Sequence, residues 1–170
     1  MPRKPIVGGN WKCNPATQKE VRSLLSAWAQ DGSRSSWDAE KVDVVIFPPA
    51  LWLTDVKSDG MAIGAQNVSK TGSGAFTGEW TAEAIVDLGL SWTLIGHSER
   101  RTKYGETDED TATKVEMGMK KGLNVMLAIG EQLSERQDGT TVDVCARQIK
   151  AVISKVTDWS KFSIAYEPVW

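Results

Sequence analysis

Six short apolar runs punctuate the chain: PIVGGN (5–10), VDVVIF (42–47), MAIGAQ (61–66), WTLIGH (92–97), LNVMLAIG (123–130) and FSIAYE (162–167). Several are nearly continuous in Val, Ile and Leu, the pattern of strands covered on both faces. Amphipathic stretches lie between them. Asn14 and Pro15 offer an N-cap and a first helical residue, and Val21, Leu24, Leu25 and Trp28 then recur on one helical face. A second helix is predicted over 107–121. Thr107 caps it, Asp108 and Glu109 suit its positive end, Ala112, Val115 and Met119 share a face, and Gly122 stops it. A third stripe, Val142, Cys145, Ile149, Val152 and Val156, predicts a helix over about 136–156. This alternation predicts a parallel sheet with right-handed crossovers, at about 30 residues per βα unit. One connection stands apart: QNVSKTGSGAFTGE (66–79) is too rich in Gly and small polar residues for a helix and longer than most such loops.

Composition narrows the classes. The chain has 170 residues with 41% hydrophobic and 25% charged, which suits one soluble domain. A net charge of −2 argues against a nucleic-acid face. No apolar run approaches the roughly 20 residues of a membrane helix, and MPRKPIVGGN lacks the apolar stretch of a signal peptide. Cys13 and Cys145 lie far apart with no CxxC, which predicts reduced thiols and a cytoplasmic location. With His97 as the single histidine and no cysteine cluster, no metal site is expected.

The chemistry gathers just after the apolar runs. Asn10 and Lys12 end the first, His97, Ser98 and Glu99 the fourth, and Glu167 the sixth. In a parallel α/β sheet these ends share one edge, where ligands bind, and closure into a barrel brings strands one, four and six around one mouth. Taken singly, the lysine reads as a solvated side chain, the histidine as structural and the glutamate as a turn marker. The joint pattern is stronger but names no reaction. Two motif matches fail. GAQNVSKT has Ser69 where a P-loop needs its second glycine, and Gly8 and Gly9 lack dinucleotide-fingerprint spacing.

GGNWKCN (8–14), GAQNVS and GAFTGE (within 64–79), LIGHSERR (94–101) and AYEPVW (165–170) resemble the triosephosphate isomerase family in order and spacing along the whole chain. One departure is Ala128 in LAIGE, where many members have cysteine. The resemblance implies a (β/α)8 TIM barrel, ~250 residues in full, of which 1–170 would form a single partial domain with strands 1–6 present and strands 7–8 absent. It implies interconversion of dihydroxyacetone phosphate and glyceraldehyde 3-phosphate through an enediolate, with no metal and no cofactor. On that resemblance Glu167 matches the general base, His97 the electrophile acting as a neutral imidazole, Lys12 the cation beside the substrate, and Asn10 its hydrogen-bonding neighbour. Glu99 orients the lysine and Ser98 supports the histidine. Pro168, Val169 and Trp170 match the hinge of a lid. Loop 66–79 is expected to enter a second copy in a homodimer, with Phe76 and Thr77 in the contact, Cys13 on the receiving side, and Phe76 in need of burial.

Six strands of eight would leave edges at 5–10 and 162–167. The chain alone is therefore expected not to form a well-folded active monomer. It is expected to need a complementary C-terminal fragment or another copy, and to release methylglyoxal if it turns over without a lid. The alternative is a non-catalytic barrel fragment serving as a folding or interaction module.

Overall fold

A computed structural model describes residues 3–30, 37–56 and 60–170. Six parallel strands form one sheet in chain order: β1 (Ile6–Asn10), β2 (Asp43–Phe47), β3 (Ala62–Ala65), β4 (Trp92–Ile95), β5 (Asn124–Ile129) and β6 (Phe162–Tyr166). The crossovers carry helices α1 (Gln18–Gln30), α2 (Ala82–Asp87), α3 (Ser98–Tyr104), α4 (Asp108–Lys120), α5 (Leu133–Gln137) and α6 (Thr141–Ile153). Strand order follows sequence order, as repeated βα units of one hand require.

Side chains alternate across the sheet and make two cores. Val45, Phe47, Leu94, Met126 and Ala128 pack together on one face. Ile46, Ile63, Ile95, Val125, Leu127 and Ile129 pack on the other with Val21, Val115 and Val152 of the helices. This two-sided burial is why the strands read as continuous apolar runs. Gly64 leaves room for the inner core: a Cβ there would lie 2.5 Å from Phe47 Cε1 and 2.7 Å from Trp92 Cβ.

The sheet curls. Laid flat, five strand spacings of ~4.8 Å would hold β1 and β6 about 24 Å apart. Instead Arg3, ahead of β1, donates to Phe162 O at the start of β6 at 2.9 Å and also to Trp159 O in the turn before it. At the opposite rim Lys12 Nζ lies 4.0 Å from Glu167 Oε1. The result is the wall of an incomplete TIM barrel. Its unpaired edges leave Val7, Ile164 and Tyr166 exposed.

Three expectations need correction. Helix α1 does not begin at Asn14–Pro15. Thr17 caps it, its N–H and Oγ1 bonding Glu20 Oε2 at 2.9 Å while Glu20 N–H donates back to Thr17 Oγ1; this reciprocal pair satisfies more orphan donors than Asn14 would. The stretch 136–156 is not one helix. It breaks at Asp138–Thr140 between α5 and α6, and Val142 is exposed while Val144 and Val152 are buried. Phe76 is not buried in its own chain but 48% exposed. Helix α4 behaves as expected, with a box closed by Asp110 as well as Thr107.

Candidate active site

At the C-terminal rim, β1 runs into a constrained turn. Lys12 has φ +55°, a left-handed conformation that costs a non-glycine residue roughly 1–3 kcal/mol and persists only where surroundings fix it. They do so here. Lys12 N–H donates to Asn10 Oδ1 at 2.9 Å, Trp11 N–H to Phe47 O at 3.0 Å, and Gln66 Nε2 to both Lys12 O (2.8 Å) and Phe47 O (2.7 Å). The strained backbone sends the Lys12 ammonium to 3.2 Å from Glu99 Oε1.

After β4 the chain turns through Gly96 (φ +75°) into His97, the N-cap of α3. His97 is 4% exposed. Its Nδ1 accepts the Glu99 N–H at 3.2 Å, so Nδ1 carries the lone pair and Nε2 the hydrogen of a neutral ring. Nε2 lies 3.0 Å from Glu167 Oε2, yet the N–H is not directed along that line, and Nε2 is a buried donor with no aligned acceptor among the described residues. It faces the rim where Lys12 and Glu167 meet.

Asn10, Lys12, Cys13, Gln66, His97 and Glu99 line a cavity of about 280 Å³. Glu167 closes on it from β6, half exposed, with its N–H bonded to Ile129 O at 2.8 Å. The expected residues Asn10, Lys12, His97, Glu99 and Glu167 are thus brought together from three strands. Ser98 is not among them. It lines a neighbouring cavity of about 560 Å³ with Arg101, Gln132 and Val169. A carboxylate on one side, and an ammonium, a ring N–H and an amide on the other, can take a proton beside a carbonyl while stabilising the oxygen that gains charge.

Glu131 escaped the reading of the sequence. It is fully buried and accepts from Tyr166 Oη (3.0 Å), Trp170 Nε1 (3.2 Å) and Thr141 Oγ1 (3.3 Å). Burial pushes its carboxyl up, but its backbone bond and these donors outweigh that and hold it below the usual value. Glu131 O also takes the Val169 N–H at 2.9 Å, so this one residue ties down the segment expected to be the hinge. The signal was present: Glu131, like Glu167, is an acid directly after an apolar run.

Loop 66–79 is tied at its base by Ser69 N–H to Trp80 O and Trp80 Nε1 to Asn67 O, both 2.9 Å. Beneath it, Lys114 is 3% exposed and donates to Asn67 Oδ1 (2.9 Å) and Glu106 Oε1 (2.5 Å). Burial lowers the Lys114 pKa, opposed by the Glu106 partner. Phe76, Thr77 and Cys13 all stay exposed.

A family model described as triosephosphate isomerase matches residues 5–170. A triosephosphate isomerase of Candida albicans is 48% identical over all of this chain, which covers 68% of that protein. A cytosolic triosephosphate isomerase of Oryza sativa is 42% identical over all of it, covering 67%, and a chloroplastic one of Secale cereale is 45% identical over 98% of it, covering 55%. The chain thus spans between about half and two thirds of the length of these relatives. With the six-stranded wall and the residues gathered at its rim, these similarities establish that the chain belongs to the triosephosphate isomerase family.

Proposed function

We propose that the catalytic unit containing this chain interconverts dihydroxyacetone phosphate and glyceraldehyde 3-phosphate, with Glu167 as the base. The observation that carries this is the meeting of Glu167, His97 Nε2 and Lys12 Nζ at one rim, at 3.0 and 4.0 Å. Glu167 takes a proton from the carbon beside the substrate carbonyl and returns it to the neighbouring carbon. His97 Nε2–H and Lys12 stabilise the enediolate oxygens, Asn10 holds the Lys12 turn, and Glu99 steadies the ammonium. Ser98 begins the helix behind His97 and acts only through it. Pro168, Val169 and Trp170 form the hinge of a lid. A lysine held at positive φ beside Glu167 and His97 favours this reading over a scaffold without chemistry.

The partners follow from the same reading. The substrate is a triose phosphate. The remaining strands of the family close the edges at β1 and β6, and a second copy receives loop 66–79 near Cys13. Cys13 and Cys145 are free thiols, which suits the cytoplasm.

The test is Glu167→Gln in the smallest assembly containing this chain that turns substrate over. Loss of a positioned base lowers kcat by roughly 10³-fold or more, with KM little changed. Turnover close to that of the parent would remove Glu167 from the role.

A further inference from the structure

The Glu167–Pro168 peptide rests directly on the backbone of Gly130. A Cβ at Gly130 would lie 2.7 Å from the Glu167 carbonyl carbon and 3.0 Å from Pro168 Cα, and closer still to Glu167 O. Gly130 does not have the left-handed φ of Gly96 or Gly122, so conformation does not demand glycine at this position. Space does. On either side of Gly130 the two strands are bonded, Glu167 N–H to Ile129 O at 2.8 Å and Val169 N–H to Glu131 O at 2.9 Å. Between these bonds stands Pro168, which has no N–H to offer. At this one point the approach of the chains is set by contact alone.

Gly130 is itself held from behind. Gln148 of α6 is 5% exposed, and its amide brackets the glycine: Gly130 N–H donates to Oε1 at 3.0 Å, and Nε2 donates to Gly130 O at 3.2 Å. A side chain must supply one acceptor and one donor at this spacing, and among buried side chains a primary amide does so without charge. The order of contact therefore runs from helix α6 through Gln148 and Gly130 to the backbone of Glu167.

We propose that Gly130 and Gln148 are positioning residues for the Glu167 carboxylate, a role that rests on Glu167 being the base. Neither touches the reacting atoms. They fix the height of the peptide from which the base projects, and so its distance to the substrate carbon. A displacement of about 1 Å costs on the order of 10²-fold in rate.

The experiment compares Gly130→Ala, Gln148→Met, Glu167→Gln and Val152→Ala in the same active assembly by kcat, KM and Tm. Val152 is fully buried on the same helix as Gln148, so its truncation lowers stability without touching Gly130. The expected result is a kcat about 10²-fold down in Gly130→Ala and Gln148→Met with KM within about threefold, while Val152→Ala keeps its kcat despite a lower Tm. If Gly130→Ala does not fold, Gln148→Met carries the test. A Gln148→Met kcat near that of the parent, beside a collapsed Glu167→Gln, overturns the positioning role alone. So does a Val152→Ala kcat that falls as far as that of Gln148→Met. Near-normal turnover in Glu167→Gln overturns the reading of the base, and the positioning role with it.

Discussion

Asp110 shows how much one side chain carries. It closes the capping box of α4, accepting the Thr107 N–H at 3.0 Å, and it takes Lys70 Nζ at 2.5 Å from the root of loop 66–79. The Lys70 ammonium, then the Thr107 N–H, hold its carboxyl at about 2, below an ordinary 3.8. The folded value is depressed, so the stabilisation is present above 3.8 and is lost as pH falls toward 2. Asp110→Asn gives up that stabilisation at every pH. Its Tm should therefore converge with that of the parent as acid is added, a result thermal unfolding between pH 6 and 2 would read. Curves that stay equally separated throughout would show that Asp110 contributes nothing through its charge. At this scale the sequence was legible where chemistry follows an apolar run, as with Asn10, Lys12, His97 and Glu167. It was not legible for Gln66 and Gln148, whose partners lie 18 or more positions away, nor for the pairing of Lys114 with Asn67, 47 positions away, all of them chosen by packing.

Among the elements, strands were read well because the inner ones are buried on both faces and every strand leaves a compact apolar run, even β1 and β6, whose outer residues are exposed. Helix ends were read less well. Asn14–Pro15 looked like a start, but Thr17 and Glu20 form a reciprocal cap three residues further on. The 136–156 stripe ran across a break because Gly139 lies in a left-handed turn that a periodicity count does not register. Loop 66–79 is the element with most left to give. Its base is anchored through Asn67, Lys114 and Asp110, while its tip leaves Phe76 48% exposed. A large ring held out on an anchored support suits insertion into a second copy better than a mobile linker would. Sedimentation should accordingly show a dimer at micromolar concentration that Phe76→Ser with Thr77→Ser converts to monomer. A species that stays monomeric whether or not both residues are replaced would remove the contact.

For the molecule as a whole, the alternation of runs was enough to predict six parallel strands, and motif order was enough to predict which family they form. The curl that joins the site was only implied. It is seen in Arg3 reaching the start of β6 across the sheet, in Gly64 admitting Phe47 from the neighbouring strand, and in Gly130 admitting Glu167 from the next, relations between residues far apart in the sequence. On the proposed mechanism this curl makes Glu167 a base that shuttles a proton through an enediolate. The most direct test follows the label. Dihydroxyacetone phosphate is converted in deuterium oxide by the active assembly containing this chain, and the glyceraldehyde 3-phosphate formed is examined for deuterium at the carbon beside its aldehyde. A carboxylate that holds the proton at the half-exposed rim exchanges it with solvent, so deuterium is expected at that carbon, formed at a rate that collapses in Glu167→Gln. Product formed at full rate without solvent deuterium, or labelled equally fast by Glu167→Gln, would contradict that mechanism.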